Sequence, residues 1–252
     1  GRPPTTQGGL GARVKHDVPV ARLEQLTVLG AGLGAGVLTS TVGVASLLSF
    51  PVLVAVGLSP VVANVSNTIG MTPAGLSGSF GYRQELRAHP VVTVAVLTTC
   101  ALGAVLGAAL LLALPSEVFE SVVPWLILGT CLLVGAQPTI SARLRRRHPV
   151  GQPPPQRTRM SPVTTAFSTL VGVYGGYFGA GSGVMMVAVL GFGLDLDLRV
   201  VNGLKTLAIL SANVVASLIF VVVADVDWRA AALLAAGSVV GGYVGARIGR
   251  RL

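Results

Sequence analysis

Apolar positions fill this chain in long blocks, and polar positions are confined to the stretches between them. The blocks cover about 26–58, 60–81, 90–114, 121–140, 162–194, 200–224 and 228–247. A spanning α-helix needs about 20 mostly apolar residues, so about seven such blocks predict an all-α polytopic membrane protein. Two blocks are too long for one simple span. The first has 33 residues, about 50 Å of helix against a hydrocarbon core of about 30 Å. It contains Gly43 and Pro51, and the fifth block contains the run Gly179-Ala180-Gly181-Ser182-Gly183. Each reads as a spanning helix, a break (near Thr41–Ala45 and near Gly179–Gly183) and a short broken or re-entrant helix.

The two long blocks belong to an internal repeat. Shifted by 138 positions, the halves align without a gap: Gly43 falls on Gly181, Asn64 on Asn202, Thr68 on Thr206, Tyr82 on Phe220, Gly103 on Gly241 and Gly107 on Gly245. Internal duplication marks many secondary transporters. The chain therefore divides into a polar N-terminal tail (1–24), a first transmembrane repeat (25–140), an Arg/Pro-rich linker (141–161) and a second repeat (162–252). The counterpart of 121–140 would fall at 259–278, so an eighth hydrophobic helix is expected either to follow residue 252 or to have been lost.

Charge sharpens this picture. Only 27 of the 252 residues are Asp, Glu, Lys or Arg, against roughly a quarter in a soluble domain. Gln25–Tyr82 (58 residues) and Met160–Leu194 (35 residues) carry no charge and no histidine. A soluble enzyme, a disordered chain and a disulfide scaffold are excluded. The net charge of +9 fits basic cytoplasmic loops rather than nucleic-acid binding. Arg143, Arg145, Arg146, Arg147, Arg157 and Arg159 make the linker basic, and Arg2, Arg13, Lys15 and Arg22 the tail. With both cytoplasmic, each half crosses an even number of times and the repeats are parallel. If the short helices cross, the repeats are inverted and tail and linker lie on opposite sides.

Few residues in the spans carry chemistry. Asn64, Asn67 and Thr68 share one helix face at i, i+3, i+4, and Asn202, Lys205 and Thr206 repeat that spacing. Asn213 falls near the same face as Asn202. Lys205 lies inside an apolar block, where an ionisable group either snorkels to the interface or faces a cavity or partner. No carboxylate stands in the matching first-half helix, so a buried ammonium beside asparagines points to an anionic ligand. The breaks around Gly43 and around Gly181, Ser182 and Gly183 add backbone N–H groups at a restarting helix, which also suit an anion. Gly103/Gly107 and Gly241/Gly245 read as close helix packing. The Gly-xxx-Gly faces serve either a homodimer or contacts within one protomer. Cys100 and Cys131 read as packing residues, and no cofactor or metal site is expected. No Asp, Glu or His lies within a span, which leaves proton coupling through a buried carboxylate without a carrier.

These residues also resemble a known family. Gly43-Val44-Ala45-Ser46 through Pro51 and Ala63-Asn64 to Thr68 resemble the first-half signature of the TauE/SafE sulfite exporters, with Val44 and Ala45 where the family has glycines. Tyr174 through Gly183, then Asn202-Gly203-Leu204-Lys205-Thr206 and Asp227-Trp228, resemble its second-half signature. The resemblance spans about 26–251 and implies a multi-pass transporter of the bacterial plasma membrane. It implies export of a small sulfur-containing anion, sulfite or an organosulfonate such as sulfoacetate, through a site between the repeats. An anion channel or facilitator for another small anion is the alternative. A membrane enzyme would need a nucleophile–base or metal constellation that these spans lack.

Overall fold

A computed structural model describes residues 22–147 and 159–249; most of the tail and linker, and Arg250–Leu252, lie outside them. The described residues form ten helices and no strands: α1 (Arg22–Thr41), α2 (Ser46–Ala55), α3 (Pro60–Gly81), α4 (Arg83–Ala88), α5 (Pro90–Ala113), α6 (Ser116–Arg147), α7 (Pro162–Tyr177), α8 (Ser182–Gly193), α9 (Leu198–Val223) and α10 (Trp228–Gly249). The helix bounds follow local chemistry. Pro60, Pro90 and Pro162 open α3, α5 and α7, where a missing N–H costs nothing. The Ser161 side chain caps α7 by accepting from Thr164 N, and the Asp227 carboxylate accepts from Ala230 N in the first turn of α10. Both long blocks break as their glycines predict. Gly43 and Gly181 adopt φ of +86° and +76°, a region that disfavours any residue with a Cβ. Helix starts keep the repeat spacing: Pro60 and Leu198, and Pro90 and Trp228, stand 138 residues apart.

Among the described residues, four helices (Pro90–Ala113, Ser116–Ile140, Leu198–Val223 and Trp228–Gly249) are long and apolar enough to cross a membrane. Exposed Leu102, Leu106, Trp125, Leu132, Leu218 and Val222 give them an apolar outer surface, as a lipid environment requires. The protein is an integral multi-pass membrane protein.

Glycine lets the helices approach at backbone distance, and the pattern of approach shows their directions. Gly32 meets Leu234, Gly36 meets Ser238 and Gly241, and Val37 meets Gly245, so α1 and α10 run the same way. Gly172 lies on Cys100 and Gly176 on Ala104, so α5 and α7 also run together. A Cβ on Gly103 would stand 2.2 Å from Thr169 O and one on Gly241 2.1 Å from Leu33 O, the close packing expected of both pairs. Gly70 meets Leu234 and Gly81 meets Ala246, which aligns α3 with α10. Between α3 and α9 the order reverses: Thr72 bonds Ser217, Gly75 meets Leu210, Gly78 meets Thr206 and Gly203 meets Tyr82.

Thus α1, α3 and α10 point one way, and α5, α7 and α9 the other. The first helix of each half packs on a helix of the other, α1 on α10 and α7 on α5, so the halves are interleaved and mutually inverted. This corrects the parallel arrangement drawn from charge. The starts of α1 and α7 lie on opposite faces, because the short helices return the chain. Asn67 bonds Ser46 at the start of α2, while Phe50 and Leu53 further along it cluster with Ala63 and Val65. The side chains of Arg145, Arg146, Arg147 and Arg157 lie outside the described residues.

Of three apolar clusters among the described residues, Ala35, Met71 and Ala74 form one, and the two larger lie at opposite ends of the bundle. One gathers Tyr82, Val92, Leu194 and Val200; the other gathers Val28, Phe50, Phe119, Phe178 and Phe220. Tyr82 and Phe220, matched by the repeat, are both fully buried, one in each cluster.

Candidate functional site

The two helix breaks meet. A Cβ on Gly43 would lie 2.8 Å from Gly183 Cα and 3.1 Å from Lys205 Cδ, and one on Gly183 would lie 2.6 Å from Gly43 Cα. Gly43, Gly183 and Lys205 therefore come together, with backbone against backbone. Thr206 joins them through Gly78, whose Cα faces the Thr206 methyl and Ser40 Oγ.

Lys205 is completely buried, so the snorkelling alternative is excluded. Nor is it unpaired, or turned toward asparagines. Its Nζ donates to Thr41 O at 2.7 Å and to Ser40 O at 3.4 Å. These carbonyls end α1, where backbone acceptors lack helical donors and the helix dipole is negative. The Tyr82 hydroxyl also donates to Ser40 O. A lysine on α9 thus completes a broken helix some 165 residues earlier in the chain. It retains one further N–H for another acceptor.

The asparagines occupy a separate place. Asn67 Nδ2 donates to Ser46 Oγ, and Asn67 Oδ1 accepts from Ser49 Oγ at 2.5 Å, tying α3 to the start of α2. Asn64 Nδ2 donates to Tyr177 O at 2.9 Å, at the end of α7. Its Oδ1 is buried with no hydrogen-bond partner among the described residues. Thr68 and Thr206 turn back to the carbonyls of Asn64 and Asn202 in the preceding turn, so their hydroxyls serve their own helices. Asn202 is half-buried on α9. Ser182 lines a small cleft with Cys100, Gly175 and Ala208.

Several contributors escaped the sequence reading. Tyr174 Oη donates to Ala180 O at 2.6 Å, and Thr130 on α6 shares its one hydroxyl proton between Leu126 O at 2.7 Å and the same Ala180 O at 3.0 Å. Thr130 also packs against Gly181. Tyr174 sits within the second-half signature, and Thr130 is a solitary hydroxyl in an apolar block; both were visible signals. Ser46 and Ser49, at i and i+3, were another. Ser66, which accepts from Asp227 N, had no distinguishing signal. Among the described residues no group of three His, Cys, Asp or Glu side chains could hold a metal ion. Cys100 is buried and Cys131 exposed, both as free thiols.

Gly43 and Gly181 at matched breaks, and polar faces on α3 and α9, place irregular backbone and polar side chains inside an apolar bundle. The chain is similar to a probable membrane transporter protein, ORF9, of a Sinorhizobium species, with 26% identity over 84% of this chain and 78% of that protein. It is also similar to a probable membrane transporter protein of Haemophilus influenzae, with 24% identity over 86% of this chain and 82% of that protein. No solved structure gives a significant match. The family model described as sulfite exporter TauE/SafE matches residues 28–252, so this inverted, glycine-broken bundle is a membrane transporter belonging to the TauE/SafE family.

Proposed function

We propose that the protein exports a small sulfur-containing anion, sulfite or an organosulfonate, and that the anion passes between the halves where the two breaks meet. The observation that carries this reading is the fully buried Lys205 beside Gly43 and Gly183. An ionisable side chain at such depth is costly to keep and marks a functional path. In the closed arrangement its Nζ rests on the carbonyls of Ser40 and Thr41. As the halves part, Lys205 exchanges one or both carbonyls for anion oxygens, and the N–H groups at Gly181 and Gly183, outside the capping bonds of α8, bind another oxygen. Asn64 and Asn67, whose amides already donate to Tyr177 O and Ser46 Oγ, stand apart from this anion contact. No ionised carboxylate is needed, because the cargo brings the negative charge.

A thermal-shift comparison of purified protein with sulfite, sulfate, thiosulfate, taurine and sulfoacetate tests the reading. Stabilisation by sulfite or sulfoacetate, lost in Lys205→Met, supports it. A response to none of these anions, or an equal response in Lys205→Met, refutes the anion site.

A further inference from the structure

The two broken helices end alike but are finished differently. In α1, Val42 N and Gly43 N both donate to Leu38 O; in α7, Phe178 N and Gly179 N both donate to Tyr174 O. Gly43 and Gly179 are the left-handed glycines that close these turns, with φ of +86° and +79°. Two residues before each glycine stands a carbonyl that receives a side-chain donor from the other half. Thr41 O receives Lys205 Nζ from α9, and Tyr177 O receives Asn64 Nδ2 from α3. At α1 the donor is an ammonium, which answers the negative end of the helix dipole. At α7 it is a neutral amide, which supplies one N–H and brings a further oxygen.

That oxygen, Asn64 Oδ1, is buried and unpartnered among the described residues, and Asn64 as a whole is 1% exposed. The amide cannot be turned over to hide it, since Nδ2 is held by Tyr177 O. An unsatisfied buried acceptor is costly. Asn64 meets the last turn of α7 at Tyr177 O, and that turn carries further acceptors: the carbonyls of Gly175, Gly176 and Phe178 take no backbone donor in the bonds that close the turn. Aromatic rings of Phe50, Phe119 and Phe178 pack around this helix end, and among the described residues no charged side chain bonds Asn64 or Tyr177 O.

We propose that the end of α7, with Asn64 Oδ1, binds a small monovalent cation of the Na+ class. Neutral amide and carbonyl oxygens suit a hard monovalent ion. A divalent ion would want carboxylates, and no acidic cluster exists among the described residues. The pairing explains the asymmetry of the halves: Lys205 is a built-in cation at the end of α1, and the bound ion plays the same part at the end of α7. Broken-helix carbonyls serve coupling ions in other transporter folds, so this site would link the ion to closure of the α3–α7 contact.

The test uses the whole protein in detergent or nanodiscs without any sulfur anion, so its outcome is independent of the substrate reading. Thermal stability and hydrogen exchange are compared in NaCl and in N-methyl-D-glucamine chloride at equal ionic strength. Na+ at ten times its dissociation constant should raise Tm by about 3–6 °C and slow amide exchange in 174–181. Asn64→Leu should abolish both effects, whereas Lys205→Met, at the other helix end, should keep them. Identical behaviour of the wild type in the two salts overturns the proposal, as water would then satisfy Oδ1. A full Na+ response in Asn64→Leu overturns it too. If that variant does not fold, the wild-type exchange map decides: slowing elsewhere but not in 174–181 also rejects the site.

Discussion

Gly183→Ala is the sharpest probe of the contact between the two breaks. Gly183 has no positive φ, so alanine brings no backbone strain, only a methyl group. That methyl would stand 2.6 Å from Gly43 Cα and 2.8 Å from Gly43 O, where ordinary contact begins at 3.4 Å. The obstructing atoms are backbone and cannot rotate away, so the breaks must part by about 0.8 Å. Overpacking of this kind costs about 1–3 kcal/mol, offset by up to about 1 kcal/mol of better helix propensity. The expected net loss is about 1–2 kcal/mol, or roughly 2–8 °C in Tm for a chain this size. Transport should suffer more than stability, because misplacing a binding geometry by about 1 Å costs up to about 100-fold. Two controls isolate the cause. Gly57→Ala has φ of +98° but open space around it, so it reports left-handed strain alone, about 1–2 kcal/mol. Gly135→Ala on α6 meets nothing within 4 Å and should be neutral or stabilising. Thermal melts and sulfite flux in proteoliposomes would be read side by side. If Gly183→Ala transports and melts like the wild type, or tracks Gly135→Ala, the breaks do not meet as described.

Other outcomes follow from the same geometry. Lys205→Met keeps the volume but leaves Thr41 O without its donor and Ser40 O with the Tyr82 hydroxyl alone; the melt should fall by about 1–3 kcal/mol while flux is lost, and an unchanged melt would contradict the cap. Thr130→Val removes a hydroxyl shared between Leu126 O and Ala180 O and should cost about 1 kcal/mol, with Tyr174→Phe and the double variant showing coupling in a thermal double-mutant cycle. Cysteines placed at Gln25 and Met160, near the starts of α1 and α7, should react with an impermeant maleimide from opposite sides of the membrane; labelling from one side would restore the parallel arrangement.

The positions of most helices were legible because hydropathy is a local property. The block 60–81 is α3 itself, and 90–114 is α5 to within a residue. The breaks were legible because Gly43 and the 179–183 run are conformational signals carried by individual residues. The fourth block ends at 140, where the apolar stretch Ser116–Ile140 also ends; α6 itself continues to Arg147, since polar residues at a helix end carry no hydropathy signal. At the candidate site, the buried polar face of α3 was visible from spacing, but its partners were not.

From order alone, the chain determined its class, its apolar helices, its two glycine breaks and the 138-residue spacing, because each is set by residues near one another in sequence. Tertiary structure decided the rest. Ten residues of α2 and twelve of α8 are each too short to read as a crossing, yet they reverse the chain, so the relative direction of the halves emerges only when α1 is laid along α10 and α5 along α7. Lys205 shows the same limit at one residue. Its depth follows from composition, but its partners are carbonyls on another helix, and a backbone acceptor freed by a break leaves no mark in side-chain identity.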